Sequence, residues 1–304
     1  MQKKLIISNI KGGFGNQLLQ YATGMNLARK NNSILKVDLS FFNEARFRNA
    51  FRLNMMNIDY IPASEEEIKS LRNREDKAPV FFRFLTKFGF HNPWFRKTHV
   101  MDTQGFCPSD SVINANPPVY IEGWCTKENY FAEIREELKK SFTPRNRLTE
   151  HARTILNKVQ NCISVSIHIR MKDYVGNPVF KLLPLEYYLN AISYIKNNID
   201  DPVFFVFSDD LKQVRENLKS IPDLHFVDLG SETDYKGDND IEDFFLMSKC
   251  KHHINANSSF SWWASYLSTD TNSISIVPSI WFIDPAYQES LEKCPFWPSN
   301  WVAL

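Results

Sequence analysis

The chain opens on a short apolar run, LIISNI from Leu5, which breaks at GGFGNQ and gives way to Leu18, Leu19, Ala22, Met25 and Ala28. The run predicts a strand, and the later spacing predicts a helix from Asn16 to about Lys30 with one core-facing stripe and Asn16 as its N-cap. SILKVDLSFF then reads as a second strand, completing a β-α-β unit. From Asn43 to Phe106 the pattern supports a charged helical piece, SEEEIKSLRNREDK, and an aromatic, basic stretch, PVFFRFLTKFGFHNPWFRKTH, that fits neither period. PPVYIEGWC predicts a strand, KENYFAEIREELKKSF an amphipathic helix, and TPRNRLTEHARTILNKVQN a polar junction that carries a further helix.

The second half alternates strictly. CISVSIHIR, PVFFVFSDD, LHFVDLG, HHINANS and SISIVPS are strand-like, and PLEYYLNAISYIKNNI, LKQVRENLKSI, IEDFFLMSKC and SSFSWWASYLS between them are helical. Such alternation implies a parallel sheet covered by helices on both faces. A chain of 304 residues exceeds the roughly 250 at which a single core stops growing. We therefore expect two domains, 1–155 and 156–304, each α/β and Rossmann-like, facing each other across a cleft.

Composition narrows the partners. With 43% hydrophobic and 23% charged residues the chain is globular, and a net charge of +1 supplies no field that would favour nucleic acid. No stretch has the ~20 apolar residues of a membrane span, and MQKKLIISNI is too short an apolar run for a signal peptide. The expectation is an unexported, cytoplasmic protein without an integral membrane span; peripheral membrane contact and oligomeric state stay open. Its five cysteines are scattered and lack C-x-x-C spacing, which predicts reduced, mostly buried thiols.

In open parallel sheets ligands sit beyond the carboxyl ends of the strands, so candidate chemistry is sought there. After the first strand, Gly12, Gly13 and Gly15 allow a tight turn and close ligand approach, and Asn16 and Gln17 bring side-chain amides to an anion-favouring helix start. The window GFGNQL lacks the third glycine of a dinucleotide fingerprint, and no Gly-Lys-Ser/Thr triplet follows. After CISVSIHIR come His168, Arg170, Lys172, Asp173 and Tyr174; Arg170 can fork onto two phosphate oxygens and Lys172 adds a point charge. Asp173 is the first carboxylate to consider as a general base, and is equally placed to orient Arg170. Ser208, Asp209 and Asp210 read as helix caps. Asp238 and Asp240 have D-x-D spacing but lie in a Gly/Asn/Asp loop that reads as solvated, so no metal site is expected. Glu242 and Asp243 open a helix, where a carboxylate complements the dipole or accepts from a base. Ser258 and Ser259 would present hydroxyls and amides at another helix start. His252 and His253 point to opposite faces of a strand, which disfavours a shared metal. Trp124 and Tyr130 are candidates for an apolar wall or for core packing, and Trp262 and Trp263 for packing beneath the sheet. Neither H-E-x-x-H nor G-x-S-x-G occurs.

GGFGNQLLQYATGMNLA, EGWCTKENYF, VSIHIRMKDYV, FFVFSDD and EDFFLMSKCKHHINANSSFSWWASYL stand in the order seen in glycosyltransferase family eleven, the α-1,2-fucosyltransferases, and the chain resembles a bacterial member from about residue 5 to its tail. The resemblance implies a GT-B architecture of two facing Rossmann-like domains, the first on the acceptor side and the second binding GDP-β-L-fucose. It also implies inverting transfer of fucose to the 2-hydroxyl of a terminal β-galactose, with no cofactor or metal required. His168 and Arg170 match the donor-pyrophosphate motif, Asp243 the acid that reads guanine, and Ser258, Ser259 and Phe260 the phosphate loop. Gly13, Gly15 and Asn16 lie on the loop that reaches toward the reacting centre. Met171 and Lys172 replace the family's second arginine and its glycine, altering charge and loop shape while Arg170 survives. Two other readings stand beside this one: a GDP-sugar transferase with another acceptor, and a sugar- or nucleotide-binding protein without turnover.

Overall fold

The computed structural model describes residues 4–47, 50–72, 97–102, 106–172, 174–219, 221–230 and 239–304. Asp173, Asp238 and residues 79–96 of the aromatic, basic stretch lie outside them. The chain forms two compact units, Met1–Leu53 with Ile58–Arg135, and Asn54–Asn57 with Glu136–Leu304. The helix Glu150–Gln160 lies in the second unit. Its N-cap residue Thr149 donates from N–H (2.6 Å) and from Oγ1 (2.9 Å) to the two carboxylate oxygens of buried Glu242. Charge-assisted bonds of this kind are the strong ones, so Glu242→Ala should lower unfolding free energy by about 2–3 kcal/mol, read as a reduced urea midpoint at unchanged slope.

The first unit carries a parallel sheet of strands β1 (Leu5–Asn9), β2 (Ile34–Asp38), β3 (His99–Met101) and β4 (Val119–Glu122), in the order β2-β1-β4-β3. The short β3, half-buried and without an apolar period, gives no readable signal in sequence. The chain leaves β1 toward β2 on one side and returns through β3 and β4 on the other, so the order reverses between β1 and β4. That reversal places a crevice beyond their carboxyl ends.

Gly12 turns the chain there at φ +79°, a conformation costly for any residue with a Cβ, and Gly13 becomes the N-cap of helix Phe14–Lys30. The helix thus starts two residues ahead of expectation, and Asn16 lies in its first turn instead of capping it. Gln17 is fully buried: its Nε2 donates to Gly12 O (3.0 Å) and Ala50 O (2.6 Å), and its Oε1 accepts from Arg52 N–H (2.9 Å). Gln20 accepts from Lys11 N–H (2.8 Å) and donates to Gly123 O (3.1 Å), tying together the ends of β1 and β4. Gln17, expected as a ligand amide, is therefore a structural pin, because a buried amide in that position must satisfy the backbone around it. KENYFAEIREELKKSF is not one helix either: Phe131, at φ −146°, separates the turns Glu128–Tyr130 and Ala132–Ile134, and only Arg135–Ser141 is α-helical.

The second unit holds β5 (Ile163–Ile169), β6 (Pro202–Ser208), β7 (Leu224–Phe226), β8 (His252–Ile254), β9 (Ser275–Val277) and β10 (Val302–Ala303). All pairs are parallel in the order β10-β9-β8-β5-β6-β7, the doubly wound arrangement whose switch point falls between β5 and β8. Val165, Ile167, Val206, Ile254 and Ile276 pack against Tyr188, Ala191, Ile192 and Ile195 of helix Leu185–Asn198. Burial on both faces is what makes these strands read as continuous apolar runs. Trp262 and Trp263 are fully buried, and Trp262 stacks on Phe296 of the tail.

Three cysteines, Cys125, Cys162 and Cys250, are free thiols as expected, but Cys107 and Cys294 are disulfide-bonded. This corrects the reading of five reduced thiols. Among the described residues no helix is long and apolar enough to cross a membrane.

Candidate active site

In the second unit the residues following β5, β6 and β8 converge at the switch point. Ile169 pairs with Ser208 in register, so Arg170 and Asp209 leave adjacent strands side by side. Asp209 accepts from Met171 N–H (2.8 Å) and Lys172 N–H (3.2 Å), and its Oδ2 lies 3.4 Å from Arg170 Nε. One carboxylate thus fixes both the loop and the plane of the guanidinium. Sequence alone groups Asp209 with the helix caps, a role that only Asp210 fulfils, through its bond from Gln213 N–H at 3.1 Å. The sequence shows only a carboxylate directly after a strand; that this strand pairs with the arginine's own is settled by the register of the sheet.

His168 is buried at the end of β5, its ring 5.4 Å from that of Phe260. Tyr174 donates its hydroxyl to Asn257 O at 2.8 Å, joining the loop after β5 to the turn after β8. That turn runs into helix Ser259–Tyr266, where Ser258 is the N-cap and its Oγ accepts from Phe260 N–H at 3.3 Å. Ser258, Ser259 and Phe260 are half-buried around the helix start, whose amides favour an anion. Phe260 also meets Phe244 edge-on at 5.6 Å, which brings in helix Asn239–Ser248 and its Asp243.

Asp243 differs from the carboxylates around it. Its Oδ1 is buried without a hydrogen-bond partner in the protein. Burial first, then the neighbouring carboxylates of Asp240, Glu242 and Asp228, push its pKa well above the usual carboxylate range. A buried acceptor left unmet costs stability, which makes this carboxylate a candidate for contact with a ligand. Glu242, the other candidate in this helix, is spent on Thr149.

The histidines of β8 are structural. His253 Nδ1 pairs with Ser166 Oγ at 2.9 Å and burial drives its pKa down to about 3, while His252 Nδ1 accepts from Ile274 N–H at 3.0 Å. Among the described residues no cluster of three His, Cys, Asp or Glu side chains could hold a metal ion.

The first unit's crevice collects Lys11, Gly12, Gly13 and Asn16 from the β1 side and Glu122 and Trp124 from the β4 side. Gly13 is exposed, Asn16 half-buried and Gly15 buried. Tyr130 does not join them: it is buried, donating to Asp102 Oδ1 (2.9 Å) and accepting from Ser109 N–H (2.7 Å). The expected wall is reduced to Trp124.

Two parallel-sheet α/β units, one of them doubly wound with a guanidinium and an anion-favouring helix start at its switch point, make a fold of the GT-B type. The chain belongs to glycosyl transferase family 11, whose profile matches residues 2–304. It is 31% identical to the α-1,2-colitosyltransferase of Escherichia coli over 99% of both chains. It is also 31% identical to the O-antigen biosynthesis glycosyltransferase WbnK of the same species, over 90% of this chain and 94% of that one. A galactoside α-(1,2)-fucosyltransferase 1 from Mico humeralifer is 26% identical over 84% of this chain, which spans 63% of that relative's length. Among solved structures, POFUT1 in complex with GDP shares the fold, with a TM-score of 0.50 and 14% identity over 90% of this chain and 98% of that one.

Proposed function

We propose that this glycosyltransferase is an inverting α-1,2-fucosyltransferase that moves L-fucose from GDP-β-L-fucose to the 2-hydroxyl of a terminal β-galactose. The observation that carries the reading is the second unit's switch point: Arg170 held by Asp209 beside the Ser258-capped helix, with the unmet carboxylate oxygen of Asp243 on the helix packed next to it. The diphosphate would take the guanidinium and the helix-start amides, and the guanine N–H donors would take Asp243. Relatives named as α-1,2-colitosyl- and α-(1,2)-fucosyltransferases support the linkage. The colitosyltransferase, matching end to end, also favours a second reading in which the transferred sugar is colitose.

In this mechanism the leaving diphosphate gains charge as the anomeric centre becomes cationic, and a cation already aimed at it stabilises the transition state more than the ground state. Asp173 remains the proposed base for the acceptor hydroxyl. No metal is assigned a step, since guanidinium and helix amides already face the charge that develops. A cytoplasmic place of action belongs to the same reading. Incubation of the protein with GDP-fucose and lactose, with and without chelator, and with nucleotide-activated colitose in competition, tests all of this. An α-1,2-fucosylated product that forms in chelator is expected; no GDP release with either donor overturns the assignment.

Asp209 acts through Arg170 and is a positioning residue. Asp209→Ala should cut kcat by about 10- to 100-fold, the scale of a displaced catalytic group, with a smaller change in donor KM. Asp209→Asn, which keeps one oxygen for the loop amides, should recover part of it. Equal losses in KM and kcat would contradict the assigned role.

A further inference from the structure

Among the described residues, a large aromatic side chain at the switch point of the first unit faces solvent: Trp124 is 51% exposed, two residues after β4. Its surroundings hold it in place. Lys11 Nζ lies 5.4 Å from its ring centroid and 3.5 Å from Glu122 Oε1, so the lysine is shared between the indole and the carboxylate. A Cβ on Gly12 would come within 3.1 Å of the indole Cζ3 and of Asn16 Nδ2, so the glycine is what lets the ring and the Asn16 amide approach the turn together. Beside them Gly13 is open, with nothing within 4 Å of where its Cβ would stand. Glu122 is held ionised, its pKa lowered to about 2 by His99, whose Nε2 lies 3.3 Å from its Oε2, together with Arg72 and Lys11, which makes it an acceptor for hydroxyls and a poor base.

A fixed indole, an amide, a carboxylate and an ammonium around an open glycine suit a pyranose that shows an apolar C–H face to the ring and hydroxyls to its rim. β-Galactose has such a face, since its C3, C4 and C5 hydrogens lean to one side. We infer that Trp124 is the stacking platform for the acceptor galactoside, with Asn16, Lys11 and Glu122 as its polar rim. This rests on the acceptor reading given above and names the residue on which acceptor affinity depends.

The test is Trp124→Ala and Trp124→Phe, measured in two ways. In transfer assays at saturating GDP-fucose, Trp124→Ala should raise the KM for lactose about tenfold, the scale of one aromatic contact, with donor KM and GDP affinity unchanged, and Trp124→Phe should retain most of the wild-type value. In titrations monitored by ligand-observed NMR, lactose should bind wild type and Trp124→Phe and lose its signal with Trp124→Ala. GDP affinity and melting temperature equal to wild type show that the variants fold. An unchanged lactose KM in Trp124→Ala, or a rise confined to the donor, overturns the platform while leaving fucosyl transfer intact. Trp124-dependent lactose binding in a protein that transfers no fucose keeps the platform and overturns the functional reading instead.

Discussion

Arg170→Ala should lower the turnover of sugar transfer by about 100-fold or more, the usual loss when a preorganised group facing developing charge is removed. Arg170→Lys should not restore it. A lysine can supply the charge, but Asp209 grips the guanidinium through Nε at 3.4 Å, and an ammonium lacks the planar fork that this contact orients. Because the interaction strengthens as the diphosphate departs, the loss should fall on kcat more than on donor KM. Single-turnover kinetics with GDP-fucose would separate the two, and near-normal turnover in either variant would remove Arg170 from the mechanism.

Asp243→Asn should weaken GDP by about 10- to 100-fold, as expected for hydrogen bonds to a charged acceptor, and should narrow the preference for guanine over adenine nucleotides. The pH dependence follows from the direction of its shift. Asp243 has its folded pKa raised, by burial and by the carboxylates of Asp240, Glu242 and Asp228, so the free protein favours the protonated acid. Its contribution to stability is present below the ordinary carboxylate range and is lost as pH rises through the raised value. Guanine donors need the ionised acceptor, so GDP affinity should climb over that same interval, with proton release on binding; calorimetry in buffers of different ionisation heat measures it. In Asp243→Asn both pH effects should vanish, and above the ordinary carboxylate range the variant should melt higher than wild type, since the amide does not carry the free-energy cost of a carboxyl whose ionisation is opposed by burial and by neighbouring carboxylates. Unchanged GDP affinity, or a lower melting point, would show that the carboxylate is not kept for a ligand.

The pairing of these two residues explains why the site was partly legible in sequence. Arg170 and Asp243 stand out because a cation directly after a buried strand and an acid at a helix start are local features. Asp209 was read as a cap, because its partners Met171 and Lys172 are distant in the chain and are met only through the register of β5 with β6. Gln17 was misread for the same reason: its ties to Ala50 and Arg52 depend on where the chain passes after β2. Local propensity was also overridden where KENYF enters a helix-like run and breaks at Phe131.

From its order of apolar runs and helical stripes the sequence determined two parallel-sheet α/β units, because strands buried on both faces must be written as continuous hydrophobic segments. It likewise marked the glycine break after β1, Arg170 after β5 and Ser258 after β8 as candidate chemistry, since the positions just past strand ends are where ligands sit in such sheets. Only the tertiary structure decided the strand order around β5, the carboxylate that holds Arg170, the unmet oxygen of Asp243 and the exposure of Trp124. Each of these depends on which distant side chains share a few ångströms, and that is set by packing and register across the whole unit, not by the pattern of any one segment.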